Sequence, residues 1–275
     1  MIDAHRHFWR YSPASHPWID DSMPMLKRDF LPGEEVLGHP KPGDGCIAVQ
    51  ALHDVAETRW LLSLCADHPG VLGVVGWLDL CAADVVERLS ELGSHPRLVG
   101  VRHLVQDERD PKFLERGDFQ LGLARLAPRG LCFDLLVREA QRASALELVR
   151  AFPRQSFVVN HLAKPGIACA EIDPWHRQMH ELARCDNVVC KLSGLCTEAD
   201  WKEWEPENLA PYVDIALETF GPSRLLFGSD HPVCTLAGET SRVVAAHLDF
   251  LHRLSPTEYR AITHTNAVRV YGLKS

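Results

Sequence analysis

Eight short apolar runs punctuate the chain, each followed by a longer stretch of helical character, and this alternation constrains the fold more than any other feature. The runs are "MIDAHRHF" (1–8), "CIAVQAL" (46–52), "VLGVVGWLDL" (71–80), "LVGVRHLV" (98–105), "LCFDLLV" (131–137), "SFVVNHL" (156–162), "NVVCKLSG" (187–194) and "RLLFGSD" (224–230). They are rich in Val, Ile, Leu and Phe and too short for independent helices, so they read as buried parallel strands. "DVAETRWLLSLCADHPG" has apolar residues near helical spacing and ends in Pro-Gly, and "LAPYVDIALETFG" ends at Gly221 and Pro222, a helix stop. "AADVVERLSEL", "QRASALELVRAF" and "DPWHRQMHELARC" behave alike. Eight βα units in 275 residues predict an α/β fold, a single TIM-type (β/α)8 barrel over residues 1–275. A doubly wound sheet is the runner-up, but a nucleotide binder of that kind needs a Gly-rich loop where "HRHFWR" stands.

The longest link, residues 9–45, is proline-rich and carries Trp9, Tyr11 and Trp18. A connection this long inside a compact domain is usually functional or disordered, and the aromatics favour an ordered loop after strand one. Net charge is −8 with no Lys/Arg run, so nucleic acid is not an expected partner. No apolar stretch reaches membrane-spanning length, and no basic n-region with an apolar h-region opens the chain. Nine scattered cysteines without a CxxC pair suit reduced thiols, hence a cytoplasmic location.

In a (β/α)8 barrel the active site lies at the C-terminal ends of the strands. The residues there are His5 and His7; Gln50 and His53; Trp77 and Asp79; Arg102 and His103; Asp134; His161; Lys191 and Ser193; Asp230 and His231. His5 and His7, two apart on a strand, share a face and can offer two imidazoles to one ion. Two histidines on a strand are about as often simply hydrogen-bonded in a core. His161 ending strand six and Asp230 ending strand eight shift the balance, because His and carboxylate are both zinc ligands. Arg102 and Lys191 either bind substrate oxygens or pair with Asp134 or Asp230, since buried charges need partners. Arg102 and His103 are adjacent and cannot share a strand face. Trp77 fills the barrel or stacks on a sugar ring. His16, His39, His68, His95, His176, His180, His247, His252 and His264 read as surface residues of helices or loops. "HRQMH" (176–180) lacks the glutamate of a HExxH zinc site.

The set "DAHRHFW", "MPMLKRDFLP", "VVGWLDL", "GVRHLVQDE", "FDLLVR", "NHLAKP", "CKLSGL" and "LLFGSDHPVC", in this order, resembles the amidohydrolase superfamily and, within it, the branch rich in sugar-lactone and pyrone-dicarboxylate lactonases. The resemblance implies His5, His7, His161 and Asp230 as ligands of one divalent ion, Zn²⁺ being the expected one, and Asp230 as general base. It implies a lactonase acting on an L-fucono-like aldonolactone, with homo-oligomerisation left open. Without the ion, His161, Arg102 or Lys191 can steady the developing oxyanion, and Arg28, Gln50, Trp77, His103, Lys191 and His231 are the candidate substrate contacts. The chain departs from the superfamily pattern in two ways. The fifth strand has no histidine and the fourth no bridging Lys or Glu, so a second ion is not expected. His231 also stands where many relatives have Trp. No Gly-x-Ser-x-Gly elbow is present, so an acyl-serine route is not expected. The alternatives are hydrolysis of a pyrone- or muconolactone-type dicarboxylate lactone, metal-dependent decarboxylation of a carboxylate-bearing ring, and a non-catalytic binder on the same scaffold.

Overall fold

A computed structural model of the chain describes residues 1–33 and 43–273. Its sheet has eight strands in sequence order: β1 (Ile2–Arg6), β2 (Gly45–Val49), β3 (Val71–Gly76), β4 (Leu98–His103), β5 (Cys132–Leu135), β6 (Phe157–Val159), β7 (Val188–Leu192) and β8 (Leu225–Phe227). Every neighbouring pair is parallel. The sheet closes where the chain running out of β8 meets β1. Arg6 and His231 form a parallel bridge, the His7 N–H donates to the His231 carbonyl (2.7 Å), and the Asp230 N–H donates to the His5 carbonyl (2.9 Å). The barrel expected from the alternation is therefore the observed fold.

Helices fill the links between strands and follow β8, those over 55–67, 85–92, 139–151, 175–183 and 206–220 falling in the stretches read as helical in the sequence. They are α1 (Val55–Asp67), α2 (Val85–Leu92), α3 (Gly117–Leu123), α4 (Glu139–Ala151), α5 (Trp175–Ala183), α6 (Leu195–Glu198), α7 (Pro206–Phe220) and α8 (Thr240–Leu251). The Asp54 side chain caps α1 by accepting from the Ala56 N–H (2.7 Å). In α7, Pro206 takes the first turn, where its missing N–H costs nothing, and Gly221 at φ 66° ends the helix. None of the described helices is long and apolar enough to cross a membrane.

The barrel interior is layered by strand periodicity. Cys132 precedes Asp134, Val158 precedes Asn160 and Val189 precedes Lys191, each pair two residues apart and so on one face. Cys132, Val158 and Val189 join Ile47, Val49, Val75 and Leu226 in one buried apolar cluster with Tyr271. The barrel is thus apolar below and polar above, and the polar layer lies at the strand ends.

The link after β1 is ordered as far as the structure describes it. Trp9 and Phe30 form an antiparallel bridge with two 2.9 Å backbone hydrogen bonds. Trp9, Ile19, Leu26 and Phe30 pack with Ala51 and Leu236 into a separate apolar cluster. His39 lies outside the described residues. Two histidines expected at the surface are buried instead. His16 tucks beneath Trp9, with ring centroids 5.6 Å apart, because the folded-over link makes a small core of its own. His247 sits on the inner face of α8, its Nδ1–H donating to the Val243 carbonyl at 2.8 Å.

Candidate active site

The polar layer converges on one carboxylate. Oδ1 of Asp230 lies 3.5 Å from His7 Nε2, 3.6 Å from His5 Nε2 and 3.8 Å from His161 Nε2, and all four residues are buried. His5 Nε2 and His7 Nε2 are 3.2 Å apart. Strand geometry brings the first two imidazoles together. The other two groups arrive through unusual backbone. Asp230 has φ 59°, a left-handed conformation that Asp tolerates better than most residues. His161, Leu162, Ala163 and Lys164 run consecutively at φ 49–54°. Such a run costs about 1–2 kcal/mol per residue and must be held from outside. Trp175 Nε1–H donates to the Leu162 carbonyl (2.7 Å), and Arg142 donates to the carbonyls of Ala163 (2.9 Å) and Lys164 (2.5 Å). The turn turns the His161 ring into the barrel mouth and carries Lys164 to its rim.

Asp3 fastens the site from behind. Its carboxylate accepts from the His5 N–H (3.1 Å), the Ser229 N–H (2.8 Å) and the Ser229 hydroxyl (2.5 Å). It thereby ties β1 to the segment carrying Asp230. Burial raises the Asp3 pKa, though these hydrogen bonds oppose it.

Burial also keeps the histidines neutral. It lowers His5 well below its usual value, with Lys191 adding to the effect, lowers His7, and takes His161 down to about 3. Burial works to raise the Asp230 pKa, but His161 and His7 outweigh it and the carboxyl lies below its ordinary value. His7 Nδ1–H donates to the Val49 carbonyl (2.8 Å), so Nε2 is the ring atom presented to Asp230. Two imidazoles and a carboxylate at mutual spacings of 3.2–3.6 Å match the edges of a tetrahedron whose centre lies about 2.0–2.2 Å from each donor, the bond length of zinc. His161 Nε2 lies 3.8 Å from the same Asp230 oxygen, and His5, His161 and Asp230 form a buried cluster with ligating atoms within 4.8 Å of one another. Neutral imidazoles, an ionised carboxylate and this spacing fit a divalent cation.

The other expected contacts divide. Arg102 is buried, and its Nη1 lies 3.2 Å from both His5 Nε2 and Asn160 Oδ1. Burial lowers its pKa to about 10, still charged at neutral pH. Lys191 forms a fully buried pair with Asp134 (2.6 Å), the structural alternative left open by the sequence, and its Nζ lies 3.3 Å from His5 Nδ1. Gln50 is buried, accepting from Arg102 Nη2 at Oε1 (3.2 Å). His103 faces the helices, accepting from Trp77 Nε1 (3.2 Å) and contacting Glu108 (2.6 Å), with His53 and Phe113 stacked on its ring. His231 Nδ1 contacts Thr240 Oγ1 (3.0 Å), and the Arg28 guanidinium lies over Phe30 at 3.7 Å.

Above the four converging residues opens a pocket of roughly 270 Å³. His7, His161, Asp230 and Arg102 line its base, but Gln50, Trp77, His103, Lys191, His231 and Arg28 do not. Trp9, Trp18, Gln106, Asp107, Arg138 and Lys164 do. They sit on loops beyond the strand ends, where no period of the sequence marks them as site residues. Trp9, Gln106, Asp107, Arg138 and Lys164 nonetheless stand in "DAHRHFW", "GVRHLVQDE", "FDLLVR" and "NHLAKP".

The amidohydrolase family model matches residues 2–273. The chain belongs to the amidohydrolase family. Among curated members it is 39% identical to an L-fucono-1,5-lactonase of Burkholderia multivorans over 99% of this chain and 96% of that one. It is 36% identical to an L-fucono-1,5-lactonase of Burkholderia ambifaria over 86% and 82%. A crystal structure of an amidohydrolase from Burkholderia multivorans with bound zinc superposes with a TM-score of 0.93 at 39% identity, covering 99% of both chains. The fold is thus one this amidohydrolase shares with that relative along its length.

Proposed function

We propose that the protein is a lactonase that opens an aldonolactone of the L-fucono type to the aldonic acid, with one divalent ion, Zn²⁺, held by His5, His7, His161 and Asp230. The observation that carries this reading is the meeting of three neutral imidazoles on one Asp230 oxygen at the base of a pocket sized for a single sugar ring. The relatives most similar over the whole chain are named for this reaction. The ion, when bound, acts as a Lewis acid at the base of the pocket.

The chain's own groups do the rest. Asp230, ionised at neutral pH, accepts a proton from the attacking water at its carboxylate and returns it to the ring oxygen as the carbon–oxygen bond breaks. Arg102, at the same base, faces the oxygen on which negative charge develops, a role worth about 3–4 kcal/mol for a well-placed donor and one that His161 shares only when its Nε2 holds no ion. Opening the ring creates a carboxylate, and Arg138 and Lys164 on the pocket wall are the cations it meets. The water-excluding cover comes from Trp9 and Trp18.

A pH-indicator assay over a panel of aldonolactones tests the proposal. Acid release with L-fucono-1,5-lactone and close stereoisomers is the expected result. Turnover confined to a pyrone dicarboxylate, or release of CO₂ from a carboxylate-bearing ring, would overturn it.

A further inference from the structure

A lactone is uncharged, but the acid it opens to is not. Water adds at the carbonyl carbon, the ring carbon–oxygen bond breaks, and the acid formed loses its proton at neutral pH. The same pocket must hold a neutral ring and then release an anion. Arg102, Arg138 and Lys164 line it, against the carboxylates of Asp107 and Asp230, and a pocket lined this way attracts anions. Lys164 differs from the other two cations in having a carboxylate of its own. Its Nζ meets Glu198 Oε1 at 2.5 Å, with 14% and 15% of the two side chains exposed. Both ends of the pair are fixed. Lys164 closes the left-handed run whose carbonyls Arg142 holds. Glu198 ends α6, where the Thr197 hydroxyl donates to the Gly194 carbonyl (2.8 Å) and the Thr197 carbonyl accepts from Trp201 Nε1 (2.9 Å). Lys164 lines the active-site pocket and an adjoining cavity of roughly 280 Å³, whereas Glu198 lines only the second. The Lys164 charge still reaches the base of the active site. Burial dominates the titration of His161 and works to raise Asp230, but the Lys164 charge adds to the lowering of both.

We infer that Glu198 is a specificity-determining residue: by neutralising Lys164 from outside the pocket it lowers the site's affinity for anions, the aldonate product and carboxylate-bearing lactones alike, and leaves the neutral sugar ring unaffected. This rests on the reading of the pocket as a lactone site and adds a requirement on ligand charge. The effect acts through space, so Lys164 need not touch the substrate. A Glu198 that merely pinned α6 to the turn at 161–164 would affect neutral and anionic ligands equally. Ligand charge therefore separates the two roles.

The test is calorimetry of wild type, Glu198→Gln and Glu198→Asp with two acyclic probes, L-fuconate and the uncharged L-fuconamide. Glu198→Gln is expected to tighten L-fuconate by about tenfold, to leave L-fuconamide within about twofold, and to strengthen inhibition of lactone hydrolysis by L-fuconate to the same degree. Raised salt should erode that gain, because the pair is partly exposed. Glu198→Asp keeps the charge and should stay near wild type. Equal changes for both probes, or unchanged L-fuconate affinity in Glu198→Gln, would overturn the inference. So would a failure of both wild type and Glu198→Gln to bind L-fuconate. Should Glu198→Gln not fold, Lys164→Met reads the same charge from the other side. It is expected to weaken L-fuconate about tenfold more than L-fuconamide, and equal weakening would overturn the inference. If wild type hydrolyses no lactone yet Glu198→Gln tightens the carboxylate alone, the role of Glu198 stands and the proposed reaction falls.

Discussion

The backbone N–H of Asp230 donates to the carbonyl of His5 at 2.9 Å, so two residues 225 positions apart are joined by main chain at the seam that closes the barrel. The carboxylate and the imidazole above that bond are therefore positioned by the same interaction that completes the fold. Asp230→Asn keeps the backbone bond and nearly the same shape but cannot take a proton. The variant should melt within a few degrees of wild type yet lose well over tenfold in kcat on the best aldonolactone. A retained rate above a tenth, a loss of only ~1.4 kcal/mol, would remove Asp230 from the role of base.

Below the site, Lys191 and Asp134 form an ion pair with neither side chain exposed. Asp134 also accepts from Asn160 Nδ2 (2.9 Å) and from the Tyr271 hydroxyl (3.2 Å). Lys191→Met strands a buried carboxylate and is expected to cost about 3–5 kcal/mol in urea unfolding. Adding Asp134→Leu should restore part of that loss, because the uncompensated charge goes with it. A double variant no more stable than the single one would mean that Asp134 is held by its neutral partners alone.

Gly194, just after β7, sits at φ 64°, and a Cβ there would come within 2.5 Å of His161 Nδ1. Gly194→Ala should therefore displace the imidazole as well as strain the backbone. Activity is expected to fall at least tenfold, and the fall should exceed what is seen for Gly130→Ala, another left-handed glycine with open space around it. Equal effects at the two positions would show that only backbone strain matters.

The strands, their order and the four converging residues were legible in the sequence because each depends on local rules: apolar runs, a period of two, and polar groups at strand ends. What the sequence concealed depends on contacts between distant segments. Nothing local shows that the first loop folds back to bury His16, or that Arg142 and Trp175 hold residues 161–164 left-handed. The pocket wall is made by loop residues such as Gln106 and Arg138, whose direction only tertiary packing fixes. His103 had the opposite fate. It ends a strand as a site residue would, yet its side chain goes to Glu108 on the helix side, as alternation with Arg102 demands.

Glu57 offers a pH test away from the active site. It is buried, accepts from the Ala51 and Leu52 N–H groups at 3.0–3.1 Å, and burial raises its pKa to about 7 from an ordinary value near 4.5. The folded state thus binds this proton more tightly than the unfolded chain. Its contribution is fully present below about pH 4.5 and is lost as pH rises through 7. Glu57→Gln removes that loss, so its stability relative to wild type should climb between pH 5 and pH 8.5, by ~3 kcal/mol at most. Denaturant unfolding at a series of pH values reads this directly, and a constant difference across the range would contradict it.

The opening histidines carry the last prediction, which concerns the ion. Among the described residues one buried cluster has ligating atoms close enough to share a cation, and it contains His5, His161 and Asp230, with His7 Nε2 3.2 Å from His5 Nε2. A second ion would need donors from β4 and β5. There the chain offers Arg102, a cation, and Asp134, already engaged by Lys191. Protein purified with zinc present should therefore hold one ion per chain by elemental analysis. His7→Asn removes a neutral imidazole whose tautomer is fixed by the Val49 carbonyl and should weaken zinc binding by at least tenfold in a competition titration. Chelation should lower activity to the degree that the ion, and not Arg102 with His161, steadies the developing charge. Two tightly held ions per chain would show that donors outside this cluster take part, and unchanged zinc affinity in His7→Asn would show that the ion sits elsewhere.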